Sequence, residues 1–423
     1  MIWTLGAVPL TLLAIGTPIF ALLLSGAVLT FVFILTVPPV ALHQIMFGGL
    51  ANYALLAIPF FIFAGELMGA AGIADRLIAW VLALIGRVPG SLGVATVGAS
   101  TLIGAISGAS VATVAAVGKS LYPGLIRDGY GQRFSSGLVS SSGAIDILIP
   151  PSIAMILYGA SAEQSIPKLF VAGVLPGLLI ALMMAAFVVA RAVQMDIPRS
   201  GRFDLRHFLC TSWGAAPALF MPAFVLGLIY LGYSSPTEAG GFACLYAMIV
   251  GRYIYRTMSW GDIMEAAARA AMLTAQILVI VATAALFSWI LTISGVPRAM
   301  TEWLQALQLA PWGFLMAVNV ILLIVGCFLD PTSAILVLTP LLMPLVKSVG
   351  VDPIHFGIVM CANLAIGMFT PPFGLNIFVA RTVLGVPLET IYRGVLPFAA
   401  VQLLALIIIT YWPDLSLILT RSI

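Results

Sequence analysis

Apolar residues run through this chain in stretches of about 20, the length a helix needs to cross a bilayer. Short polar segments separate them, and no long polar stretch occurs anywhere. The pattern predicts helices throughout, on the order of ten to twelve spans, joined by short loops. The N-terminal "MIWTLGAVPL" has no basic leader and no small-residue cleavage site, so it reads as the first membrane segment rather than a removable signal peptide. Two runs break the pattern from within. "GAIDILIPPS" (143–152) puts an aspartate and two prolines inside an apolar stretch, and "GMFTPPFGLN" (367–376) repeats the proline pair.

Composition narrows the class. The chain is 62% hydrophobic and 8% charged, where a soluble protein carries about 25% charged residues. This is the signature of an all-α polytopic membrane protein. The net charge of +3 carries no nucleic-acid signal, because the basic residues are scattered over loops. Cys210, Cys244, Cys327 and Cys361 are widely spaced in apolar surroundings, so they are expected to be buried thiols rather than disulfides or metal ligands.

The prolines reveal a duplication. Pro150 and Pro151 match Pro371 and Pro372, Pro176 matches Pro397 and Pro123 matches Pro344, all at an offset of 221 residues. "AGIADRL" (71–77) resembles "SGVPRAM" (294–300) at an offset of 223. The units lie near 50–195 and 270–415. Lysines and arginines orient them. Fourteen of the 18 fall in one set of loops, among them Arg76, Arg87, Arg133, Arg191, Arg199, Arg202, Arg206, Arg269 and Arg393; only Lys168, Arg298, Lys347 and Arg421 fall in the other. The first set is expected to be cytoplasmic. Arg76 and its repeat counterpart Arg298 then lie on opposite sides, so the repeats are inverted, as in secondary transporters.

Each proline break is preceded by a second irregular element. Residues 91–125 are apolar around "GAISGAS", and 312–346 are apolar around "GCFLDPTS". Each is expected to be a re-entrant helical hairpin with its tip at mid-depth, where a cavity must satisfy the backbone. Two hairpin tips and two broken helices then converge. Carbonyls freed at the breaks, with Ser, Thr and Asp oxygens, suit a hard monovalent cation. Inward-pointing half-helix N-termini suit an anion. Asp146 and Asp330 are intramembrane acids and so candidates for ion or substrate contact, although "DPTS" also reads as a helix N-cap. Glu66 is expected to hydrogen-bond between scaffold helices. His43, His207 and His355 lie near span ends, so a metal centre other than sodium is not expected. No base, nucleophile or metal constellation supports an enzyme.

These motifs carry a resemblance. "GAISGASVATVAAVG", "SSSGAIDILIPPSIAMILYG", "FVAGVLPG", "FLDPTSAILVLTPLLMPLV" and "MFTPPFGLNIFVA" occur in order and together resemble the large membrane subunit of TRAP transporters over nearly the whole chain. The resemblance implies a bacterial inner-membrane protein that takes up an organic acid, a C4-dicarboxylate or a sugar acid such as sialic acid, with sodium as coupling ion and no other cofactor. It implies an elevator mechanism, a separate four-helix membrane subunit and a periplasmic substrate-binding protein as partners. The expected division is scaffold helices in 1–90, transport-domain halves in 91–165 and 312–385, scaffold helices with the cytoplasmic loop in 166–311, and a C-terminal scaffold helix in 386–423. Carried over, the sodium sites fall on Ser107, Ser110, Gly143 and Pro150, and on Gly326, Asp330, Gly367 and Thr370. Substrate is expected between the tips, near Ser107, Asp146, Thr332 and Pro372. A stand-alone cation-coupled carboxylate symporter of the same superfamily shares the repeat, hairpins and breaks and is the competing reading.

Overall fold

The computed structural model describes residues 3–34, 37–86, 88–197, 204–306 and 310–422. Arg87, Arg199 and Arg202 of the expected cytoplasmic set lie outside the described residues. Within them every regular element is helical, with no strand.

Local signals set the helix ends. Ser259 and Asp262 form a reciprocal capping box that starts the 34-residue helix Trp260–Ile293. Ser165 caps Ile166–Gln194, with Pro167 in its first turn. The first hairpin has arms Ser91–Ser107 and Ser110–Arg127, and the second has arms Pro311–Phe328 and Pro331–Val349. The first tip turns at Gly108, whose φ of +58° is open to glycine at little cost. A methyl group there would also fall 3.1 Å from the Pro151 carbonyl oxygen. The first broken helix consists of Gly131–Ser142, a 3₁₀ stretch Gly143–Ile147, and Ile153–Ala162; the second consists of Pro353–Gly367 and Leu375–Leu384. The Pro150–Pro151 and Pro371–Pro372 peptide bonds are both cis.

Seven helices of the described residues are long and apolar enough to cross a membrane. That is fewer than the ten to twelve expected, because each break divides one apolar run into two half-length helices and because Trp3–Ala14, Ile19–Phe33, Val40–Leu50 and Ser91–Ser107 are apolar but shorter than a full span.

The duplication is visible in three dimensions. Ser110 and Pro331 start equivalent arms 221 residues apart; Gly131 and Pro353, Ile153 and Leu375, and Ile166 and Leu388 start equivalent helices 222 apart. Packing is reciprocal. Pro331–Val349 lies on Ile153–Ala162, and Ser110–Arg127 lies on Leu375–Leu384. Leu388–Tyr411 lies on Gly131–Ser142, and Ile166–Gln194 lies on Pro353–Gly367. Such exchange of like surfaces is what a two-fold relation between the repeats requires.

Two packing units result. The outer one joins Ala57–Ala70 to Pro236–Ile249 and Trp260–Ile293, with Ile19–Phe33 and Val40–Leu50 against the last. The inner one contains the hairpins and breaks. It also contains Ile166–Gln194 and Leu388–Tyr411, which the sequence division had placed with the scaffold. The contacts are intimate. Gln402 Nε2 donates to the Ser141 carbonyl at 3.0 Å, and a methyl on Gly137 would fall 2.1 Å from the Gly394 carbonyl oxygen. Phe398 packs its ring against Phe134 and Phe187. Hydropathy could not reveal this, because a side chain facing lipid and one facing protein are equally apolar.

Cys244, Cys327 and Cys361 are buried as expected, whereas Cys210 is exposed. It shares the helix Leu205–Tyr230 with Leu209 and Trp213, which are 58% and 86% exposed, so this helix turns an apolar face outward.

Candidate substrate and cation site

A cavity of about 220 Å³ lies where the inner unit meets the outer one. Ile62, Gly65 and Glu66 of Ala57–Ala70 and Leu273 and Ile277 of Trp260–Ile293 form its outer wall. The inner wall is Ser107–Ala112 and Asp330–Thr332 from the two tips, with Ile147, Ile153, Met368 and Leu375 from the two breaks. The four irregular points of the sequence therefore meet in one place.

Ser110, Pro331, Ile153 and Leu375 are each the first residue of their helix, and all four line the cavity. Four helix N-termini thus start at its wall, each bringing about half a positive charge and unpaired backbone donors. Proline lacks the donor at Pro331. This environment favours an anion.

Oxygen atoms cluster beside it. Ser110 Oγ donates to the Gly143 carbonyl at 2.8 Å, so the first tip is tied to the first break. Asp330 caps Pro331–Val349, accepting from the Ser333 amide at 3.2 Å and from the Ser333 hydroxyl. The N-cap reading of "DPTS" and the cavity-facing reading of Asp330 both describe this residue. Gly326 and Gly367 cross backbone to backbone: a methyl on Gly367 would fall 2.5 Å from the Gly326 carbonyl carbon. Thr370 turns its hydroxyl to the Ile366 carbonyl at 2.7 Å.

Of the residues assigned to the first cation set, Ser110 and Gly143 are hydrogen-bonded, Ser107 and Ser110 share the cavity wall, and Pro150 is buried within the break. The four assigned to substrate are not on one surface. Ser107 and Thr332 line the cavity, whereas Asp146 and Pro372 do not. Asp146 is 0% exposed and faces the hairpin arm, where a methyl on Gly104 would fall 2.1 Å from its Cβ. The reason is rotation. A 3₁₀ helix turns about 120° per residue, so Ile147 looks into the cavity and its neighbour Asp146 looks away. Pro372 is exposed, and its carbonyl accepts from the Tyr392 hydroxyl at 2.8 Å.

Glu66 does bond between outer helices, accepting from Arg269 Nε at 2.8 Å, with Glu265 on the same guanidinium at 2.7 Å. It also lines the cavity. Sequence reasoning missed two inner residues. Asn376 Nδ2 donates to Ser110 Oγ at 2.8 Å and to the Ser140 carbonyl at 3.3 Å, tying the second repeat to the first. Its signal was an amide in an apolar run four residues after Pro372. Thr113 Oγ1 donates to Asp146 Oδ2 at 3.0 Å; nothing in "SVATVAAV" distinguishes this threonine from one packed between helices. Among the described residues no three His, Cys, Asp or Glu side chains cluster as a metal centre.

Comparison with known proteins agrees with this architecture. Residues 7–415 match the family described as tripartite ATP-independent periplasmic transporter, DctM component. The chain is 43% identical over 370 residues to the C4-dicarboxylate TRAP transporter large permease protein of Pseudomonas aeruginosa, covering 87% of this chain and 86% of that one. It is 39% identical over 406 residues to the isethionate TRAP transporter permease protein DctMQ of Oleidesulfovibrio alaskensis, covering 96% of this chain and 64% of that one. The solved structure of the Alcanivorax borkumensis YdaH transporter matches with a TM-score of 0.61 over 96% of this chain and 98% of that one, at 16% identity, and so speaks to fold alone. With the family matched over almost its full length and all four irregular elements in place, the chain belongs to the TRAP transporters as their large, DctM-type permease component, a multi-pass protein of the inner membrane.

Proposed function

We infer that this permease takes up a small organic acid, handed over by a periplasmic binding protein, and couples its entry to sodium. The inner unit moves against the outer one to carry the site across the membrane. The observation that carries this reading is the position of the cavity: it lies between two packing units, not within one, and four helix N-termini start at its wall. Those termini attract a carboxylate or sulfonate. The oxygens of Ser107, Ser110, Gly143, Asp330 and Thr370, which include carbonyls and one carboxylate, suit a hard cation such as sodium. Binding the two together neutralises each in a medium where a lone charge is costly. C4-dicarboxylate and isethionate, named for the two relatives, are both small anions, and the longer DctMQ relative supports a second membrane component acting with this one.

Reconstitution tests the reading directly. The chain, its neighbouring small subunit and the binding protein are placed in liposomes and given labelled C4-dicarboxylate. Uptake is expected only with the binding protein present and a sodium gradient imposed. Uptake by the chain alone would instead make it a stand-alone symporter.

The moving boundary makes a second prediction. Gly65 abuts the first tip so closely that a methyl would fall 3.1 Å from the Ser107 carbonyl oxygen, whereas Gly69, one turn on, has nothing within 4 Å. Overpacking costs about 1–3 kcal/mol, and about 1.4 kcal/mol is tenfold. Gly65→Val is expected to slow uptake about tenfold or more at normal membrane levels, with Gly69→Val close to wild type. Equal rates for the two variants would show that the tip does not slide on this helix.

A further inference from the structure

Asp146 has no part in the reading above, yet it is the most deeply buried acid described in the inner unit. It is 0% exposed. Its Oδ2 accepts from Thr113, while its Oδ1 is buried with no hydrogen-bond partner. None of the ion pairs among the described residues includes it. A carboxylate in that position is costly unless a cation completes it or a proton neutralises it, and the donors beside it decide for the cation. Hard oxygen donors stand on the side away from Gly104. Thr113 Oγ1 is 3.0 Å away, the cavity-lining Ser107 Oγ is 3.4 Å beyond Thr113, and the Ser110–Gly143 pair follows one turn back along the break.

The repeat supplies the second argument. At the offset of 221, Asp146 corresponds to Gly367 and Asp330 corresponds to Ala109. Where the break crosses the hairpin arm, the first repeat sets Asp146 on Gly104 and the second sets Gly367 on Gly326. At the tips the exchange is reversed, with Ala109 in the first repeat and Asp330 in the second. Each repeat therefore carries one carboxylate at its tip-and-break junction, but on opposite members of the junction.

We propose that Asp146 is the charge-bearing cation ligand of the first repeat, the counterpart of Asp330 in the second, so that each of two coupling sites holds one sodium ion against one carboxylate. The proposal rests on the sodium-coupled reading. It accounts for a buried acid with no charged partner among the described residues, and for glycine at the position where a second carboxylate would be redundant.

The test measures ion binding rather than transport. The purified full-length chain in nanodiscs is titrated with sodium at constant ionic strength, read by radiolabelled sodium bound per chain and by the thermal unfolding midpoint. Asp146→Asn keeps the shape and removes the charge; it is expected to lose one of two bound equivalents, or to raise its half-saturation about tenfold or more. Thr113→Val leaves the carboxylate in place and is expected to weaken the same equivalent several-fold, which keeps the test informative if Asp146→Asn does not fold. Ala109→Asp combined with Asp146→Gly transplants the second repeat's arrangement into the first and is expected to restore the lost equivalent. Wild-type stoichiometry and affinity in both Asp146→Asn and Thr113→Val would overturn the proposal. So would unchanged sodium binding in Asp146→Asn together with a pH profile of uptake that differs from wild type, which would make the ligand a proton. If sodium neither binds nor stabilises the wild-type chain, it is the sodium-coupled reading itself that fails.

Discussion

Asp330→Asn is expected to weaken the sodium dependence of uptake about tenfold to a hundredfold while leaving the fold intact. Two roles meet in this side chain, and asparagine separates them. As the N-cap of Pro331–Val349, Asp330 holds the Ser333 amide. Asparagine caps a helix about as well as aspartate, whereas alanine there costs about 0.5–2 kcal/mol. The amide has no charge to offer a cation in the cavity that Asp330 lines. A charged partner is worth about 1.5–3 kcal/mol, which is about tenfold to a hundredfold in affinity. The sodium concentration for half-maximal uptake should rise by that factor in Asp330→Asn, with an unfolding midpoint near wild type. Asp330→Ala should show the same transport defect plus a lower midpoint. Wild-type sodium dependence in Asp330→Asn would leave this residue a cap and nothing more.

The second large effect is structural. Gly367→Ala is expected to lower the unfolding midpoint of the purified protein by several degrees and to reduce its level in the membrane. The added methyl would meet the Gly326 carbonyl carbon, Cα and carbonyl oxygen at 2.5–2.6 Å. All three are backbone atoms, so no rotamer change relieves the clash. The break and the hairpin arm must separate instead, and overpacking of this kind costs about 1–3 kcal/mol. Alanine's better helix propensity returns at most about 1 kcal/mol. Gly69→Ala is the control, since its methyl meets nothing within 4 Å. A Gly367→Ala protein as stable as that control would mean that the crossing yields easily and is not a fixed joint.

Much of this arrangement was legible in the sequence, for identifiable reasons. The broken helices announced themselves because proline has no amide donor and cannot sit unnoticed in a membrane helix. The Gly108 and Asp330 tips were legible because turn and cap chemistry is local. Inversion of the repeats followed from where the arginines fall. The relation between distant residues was not legible. Asn376 reaching Ser110 spans 266 positions in the chain, and no local rule predicts such a pairing. Glu66 was read as scaffold because its helix is outside the irregular elements, yet the tips close on that very helix.

By itself, then, the sequence determined the class of the molecule, its duplication, and the four places where its helices fail. Those properties depend on backbone donors, residue volume and charge within a few positions of one another. Only the tertiary structure decided which side of each break faces the cavity, turning Ile147 inward and burying Asp146 against Gly104. It alone assigned Ile166–Gln194 and Leu388–Tyr411 to the inner unit. In a membrane protein nearly every position is apolar whichever way it points, so orientation and partnership are fixed by close packing between distant segments rather than by the hydrophobic pattern.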